Sequence, residues 1–108
     1  MEWKIDYFNA TVQDGIYSLP ETLRAKYIKI TNLMISYGPN LGEPNTKYLG
    51  NGLCELRLIG KEGIARVFYC TVVKNRIIML HGFIKKTQKI PKKELALALK
   101  RMKEVKYD

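Results

Sequence analysis

Leu49 to Glu94, LGNGLCELRLIGKEGIARVFYCTVVKNRIIMLHGFIKKTQKIPKKE, decides the fold, because it runs three strand-like segments into a lysine cluster and the start of a helix. From Leu53 to Ile59, Cys54, Leu56 and Leu58 alternate with Glu55 and Arg57, the period of a strand with one buried face. Ile64 to Val73 and Arg76 to Ile84 are rich in β-branched and aromatic residues, which suit a pleated sheet. Short reversals separate these segments. Gly50-Asn51-Gly52 follows a short strand starting at Lys47, Gly60-Lys61-Glu62-Gly63 turns the chain again, and Lys74-Asn75 joins the last two strands as a hairpin. On the strand from Arg76, the alternation predicts one apolar row of Ile78, Leu80 and Ile84, with His81 and Phe83 on the other face.

Upstream, Trp3, Ile5 and Tyr7 alternate with Lys4 and Asp6 as in a half-buried strand. Asn9 is placed to cap a helix running to about Tyr17, with Val12, Ile16 and Leu19 on one side. Ser18-Leu19-Pro20-Glu21 has capping-box spacing. The helix it introduces carries Leu23, Tyr27, Ile30, Met34 and Tyr37 as its buried face and stops at Gly38-Pro39. Residues 38–46, with their glycines, prolines and asparagines, form a loop. Downstream, Pro91 to about Lys106 reads as a helix with Leu95, Ala98, Leu99 and Met102 on one face. The order predicts an α+β domain spanning 1–108: a mostly antiparallel sheet, with two N-terminal helices packed on one face and the helices gathered on that side.

The 108 residues carry a net charge of +9, and its distribution is uneven. Residues 1–54 hold as many acidic as basic side chains, so the whole excess lies in residues 55–108. A field on one half attracts polyanions, and RNA, DNA or an acidic protein are the candidate partners. No apolar run approaches the roughly 20 residues that span a bilayer, and Met-Glu-Trp-Lys-Ile-Asp lacks a signal-peptide pattern, so no membrane is expected and a cytoplasmic location is. Cys54 and Cys70 lie in apolar strands, as reduced core cysteines do; with only His81 besides, no metal or other cofactor is expected.

The Asn51-Gly52 turn, Glu55-Leu56-Arg57, the Gly60 to Gly63 loop, Arg66-Val67-Phe68-Tyr69 and the run from His81 to Lys89 together resemble the core of RelE/HigB-type toxins of bacterial type II toxin-antitoxin modules, in their phage-derived, HigB-like branch. The resemblance implies a RelE-like fold and a toxin that cuts mRNA on the ribosome. It also implies a helix-turn-helix antitoxin, with operator DNA reached only through that partner. Arg66 matches the arginine that follows the family's glycine turn, and Arg57 stands on the strand where the family places basic residues. Lys85 or Lys86 lies where a cation follows the last strand. RelE itself has a richer basic cluster on that preceding strand and a tyrosine in its last helix, where this chain offers only Tyr107.

If register brings Arg57, Arg66 and His81 to one face, they make a cationic platform with Lys85, Lys86 and Lys89 at its rim. Cations there hold phosphates and stabilise a five-coordinate phosphorane, while a positioned base activates the ribose 2′-hydroxyl of the RNA. Candidate catalytic residues are Arg57, Arg66, His81 and Lys86; candidate RNA contacts are Lys61, Lys85, Lys89, Lys92 and Lys93. Each has a plainer reading. Arg57 and Arg66 would pair with Glu55 and Glu62, His81 would be a satisfied structural histidine, Tyr69 would pack, and Lys92, Lys93, Lys100, Arg101 and Lys103 would be a solvated helix face. Two other functions share the fold expectation: a non-enzymatic ParE-like toxin that inhibits DNA gyrase, and an RNA-binding module without catalysis.

Overall fold

Side-chain alternation along the longest strands divides the core in two, and the helices follow that division. The computed structural model describes residues 2–85 and 89–107. Along it run β1 (Lys4–Tyr7), α1 (Ala10–Tyr17), α2 (Glu21–Tyr37), β2 (Thr46–Gly50), β3 (Leu53–Gly60), β4 (Gly63–Val72), β5 (Arg76–Lys85) and α3 (Lys92–Tyr107). The strands form one sheet in the order β1-β5-β4-β3-β2, with β1 parallel to β5 and every other pair antiparallel. This is the expected mostly antiparallel α+β sheet.

Ala65, Val67 and Tyr69 of β4 point to the face that Val12, Ile16, Leu23, Tyr27, Ile30 and Met34 of α1 and α2 cover. Phe68 and Cys70 point the other way, into a second cluster closed by Ala98 and Met102 of α3. The expectation of helices gathered on one side therefore holds for α1 and α2 only. A sheet as apolar on both faces as β4 needs a cover on each. Within α3, Leu95, Ala98, Met102 and Val105 face the sheet, while Leu99 is 38% exposed and drops out of the expected face. Tyr37 is likewise exposed, at the last turn of α2 before the Gly38 cap.

The capping box at Ser18 does not form. Only three residues separate α1 from α2, and Ser18 is taken up closing α1, where its hydroxyl donates to the Asp14 carbonyl; Pro20 begins α2 without a side-chain cap. Asn9 caps α1 as expected, accepting from the Val12 amide at 2.9 Å. The β4–β5 connection is three residues long, with Val73 in the turn and Lys74 and Asn75 at positive φ. Cys54 and Cys70 are free and buried, and burial pushes the Cys70 thiol up to about 11.

Three tyrosines pin β1 against α1 and α2. The Tyr7 and Tyr27 hydroxyls lie 2.8 Å apart, and the Tyr17 ring meets the Tyr27 ring edge-on. Burial, then the hydrogen bond with Tyr17, pushes Tyr7 up to about 12, and burial raises Tyr27 as well. A raised phenol pKa favours the folded state only while the unfolded tyrosines are neutral. The stability is therefore complete below the unfolded value of about 10 and is lost as pH climbs through about 12. Urea midpoints are expected to fall between about pH 9 and pH 11, and to fall less in Tyr7→Phe. An equal fall in both proteins would contradict the assignment.

Candidate functional site

Between the pairs Tyr69↔Met79 and Phe68↔His81 the β4–β5 register shifts by one residue, leaving Leu80 extra on β5. Such a bulge reverses the in-out order of everything after it. Ile78 and Leu80 thus share a face with His81 and Phe83, rather than opposing them, and Ile84 goes to the other side opposite Ala65. Gly82 now meets α1, where a Cβ would come within 3.0 Å of Ile16 Cγ1.

The four-residue turn at Gly60–Gly63 sets the other half of the register: Arg57 pairs directly with Arg66, which pairs with Phe83, while Lys85 pairs with Ile64. Arg57, Arg66, His81, Phe83 and Lys85 therefore share the α3 face of the sheet, as the platform required. α3 covers the half of that face around Leu53, Cys70 and Ile78. The half toward the Gly60–Gly63 turn carries the cations.

Two arginines directly opposite each other repel unless an anion intervenes. Glu55, 1% exposed, is that anion. Arg66 Nη1 donates to Glu55 Oε2 at 2.7 Å, and Arg57 Nη2 stands 3.8 Å from Oε1. The plainer reading of the arginines is thus half realised, with Glu55 serving both; Glu62 instead accepts a short hydrogen bond from the Thr22 hydroxyl. The pair draws Arg66 into the sheet, where it is 7% exposed and not the open surface cation expected, while the Arg57 side chain remains 29% exposed. Glu55 Oε1 and Arg66 Nε are buried without a hydrogen-bond partner among the described residues. Lys85 closes the group. Partial desolvation first, then the Arg66 and Arg57 charges, holds its amine below the ordinary lysine range, with Glu55 opposing.

His81 borders the platform on the α3 side. Its Nε2 forms a short hydrogen bond with the Glu94 carboxylate, in the first turn of α3, and its ring stacks on Phe83 at 5.7 Å. A carboxylate on one ring nitrogen fixes the imidazole's orientation and leaves Nδ1 for other work. Lys61 sits in the Gly60–Gly63 turn with an exposed side chain, and exposed Lys92 and Lys93 open α3 beside Glu94. Lys89 is exposed and just precedes that helix. Lys86 lies outside the described residues. Arg101 leaves the solvated face assigned to it: its Nη1 donates to the Leu80 carbonyl at the bulge, at 2.8 Å, and its guanidinium stacks over Phe8. Tyr69 packs as expected, its hydroxyl donating to the Pro39 carbonyl. Among the described residues no group of three or more His, Cys, Asp or Glu gathers.

Glu94 and Arg101 are the site residues that sequence reasoning missed, while Glu55 entered it only as an ion-pair partner and not as the buried anion serving both arginines. For Glu55 a signal existed, since the turn length alone sets Arg57 against Arg66; for the other two, the bulge and the docking of α3 had first to be known.

The family model for "Phage derived protein Gp49-like (DUF891)" matches residues 14–103. The chain belongs to the phage-derived Gp49-like family. No curated protein matches it in sequence. Among solved structures, this Gp49-like chain is similar to a double arginine-to-alanine mutant of E. coli toxin RelE in the free state, with TM-score 0.68, 14% identity, and 94% of this chain and 99% of that one covered. It is also similar to the archaeal RelE in a RelE-RelB complex from Pyrococcus horikoshii OT3, with TM-score 0.57, 17% identity, and 80% and 98% covered. At these identities the likeness establishes a RelE-like fold.

Removing Arg66 alone strands a buried carboxylate. Arg66→Ala is expected to cost about 3–5 kcal/mol of unfolding free energy, measured in urea, whereas Glu55→Leu combined with Arg66→Met should regain most of it. A loss below about 1 kcal/mol in Arg66→Ala would place the pair in solvent rather than in the core.

Proposed function

We propose that this Gp49-like protein is the toxin of a type II toxin-antitoxin module and a ribosome-dependent mRNA endoribonuclease. The observation that carries the reading is the gathering of Arg57, Lys85 and the Glu94-held His81 on the half of the sheet face that α3 leaves uncovered. Arg57 and Lys85 grip the non-bridging oxygens of the scissile phosphate, where added negative charge develops. Arg66 positions Arg57 through Glu55 and adds its charge from below. His81 Nδ1 takes the proton of the ribose 2′-hydroxyl. The 2′-oxygen then bonds to phosphorus, the bond from phosphorus to the 5′-oxygen breaks, and that oxygen takes a proton from solvent water, to which the imidazolium afterwards returns its own. The products are a 2′,3′-cyclic phosphate and a 5′-hydroxyl.

The cations of the rim, Lys61, Lys89, Lys92 and Lys93, together with Lys86, serve to hold mRNA and ribosomal RNA by their phosphates. The antitoxin is supported by the archaeal relative, whose structure is a RelE-RelB complex. The protein works in the cytoplasm, where ribosomes are. A ParE-like gyrase inhibitor would share the fold, but it has no need of an oriented imidazole beside a group of cations.

Induced alone in cells, the protein is expected to arrest growth, with new mRNA 5′ ends only inside translated regions. Continued translation together with loss of supercoiling by purified gyrase would favour the ParE-like activity instead. In single-turnover cleavage on a programmed ribosome, His81→Gln should slow the reaction by about a hundredfold and Arg57→Ala by more than about tenfold, with circular dichroism unchanged. Full rates in both variants would remove these residues from the site.

A further inference from the structure

A notch on the other side of His81 is not used by the chemistry above. β1 ends opposite Met79, so beyond that point no strand among the described residues pairs with that edge of β5, and α1 packs beside it. There Thr11, Val12, Gly15, His81, Gly82 and Arg101 enclose a cavity of about 160 Å³. Arg101 spends one donor on the Leu80 carbonyl, and Phe8 covers one guanidinium face. A guanidinium has five N–H donors, and the others have no protein acceptor among the described residues. Arg101 brings a positive charge to the lining of the notch, which contains no acidic residue among the described ones.

Gly15 adds an independent observation. Glycine inside a helix costs about 0.5–1 kcal/mol relative to alanine, normally offset by close packing or a left-handed backbone. Neither applies at Gly15: a Cβ there would meet nothing within 4 Å. Its effect is to keep one wall of the notch open. Thr11, one turn earlier on the same wall, supplies a hydroxyl.

We propose that this notch is a phosphate subsite for the RNA backbone, holding the phosphate next to the scissile one through Arg101 and the Thr11 hydroxyl. The proposal rests on the nuclease reading for the identity of the RNA. With adjacent phosphates on the two sides of His81, the ribose between them lies over the imidazole, and the 2′-hydroxyl is held in reach of Nδ1.

The test uses the full-length protein, ¹⁵N-labelled, titrated with a 2′-O-methyl trinucleotide that binds but cannot be cleaved. Wild type should show shifts at Thr11, Gly15 and Gly82 together with Arg57 and Lys85. Gly15→Leu, which fills the notch, should weaken binding by about tenfold, as expected for losing one charge-assisted contact, without lowering Tm. Arg101→Met should weaken it similarly. Because Arg101 also holds the bulge, Gly15→Leu is the decisive variant. Shifts confined to Arg57 and Lys85, with unchanged affinity in Gly15→Leu, would overturn the subsite while leaving the nuclease reading intact. Notch shifts that survive Arg57→Ala at full affinity would support the subsite and count against the platform as the cleavage site. Inorganic phosphate should perturb the notch only at far higher concentration; equal potency would overturn its assignment to an RNA backbone.

Discussion

One extra residue in β5 organises the candidate functional face. In a regular strand Leu80 and His81 point to opposite sides of the sheet. The bulge lets Leu80 finish the apolar cluster under α3 while His81, its neighbour, turns to the same face and meets Glu94. Phe83 and Lys85 follow it onto the side of Arg57 and Arg66. Without that slip the imidazole would point into α1 and the cations of β3 and β4 would lack a partner group from β5. The bulge is held from two sides: Arg101 takes the Leu80 carbonyl, and Gly82 sits against Ile16, which a Cβ there would approach to 3.0 Å.

Buried charge is the second constraint. Arg57 opposite Arg66 is an unfavourable pairing on its own, and the Glu55 carboxylate under them makes it tenable. A buried ion pair is rarely the most stable filling for a core, since desolvation offsets much of the attraction. Its value here is positional. It keeps the outer guanidinium beside a buried carboxylate on a rigid sheet, the kind of placement that the proposed cleavage requires of a contact to the scissile phosphate.

The strands, their turns and the spans of α2 and α3 along the chain were legible because each carries a strong local signal: the alternation at Cys54 to Leu58, glycine at the reversals, and the four- and three-residue steps from Leu23 to Met34. What escaped depends on tertiary context. A bulge adds a residue without any mark in composition, so the row of Ile78, Leu80 and Ile84 looked continuous. Ser18 satisfied the pattern of a helix start but was claimed by the end of the preceding helix. Placement of α3 on the second face follows from the apolar character of both sides of β4, which Phe68 and Cys70 spell out beside Val67 and Tyr69. Arg101 read as solvated because its partner, the carbonyl freed at the bulge, exists only in the folded sheet.

In the proposed reaction the uncovered half of the α3 face cleaves RNA through the substrate's own 2′-hydroxyl, with His81 moving the proton. The most direct measurement is the chemistry of the cut ends, read by mass spectrometry of a short mRNA cleaved by the purified protein on a programmed ribosome. A 2′,3′-cyclic phosphate on the upstream fragment and a 5′-hydroxyl on the downstream one are predicted. A 3′-hydroxyl with a 5′-phosphate would mean that water, not the ribose, attacks phosphorus, and would contradict the account.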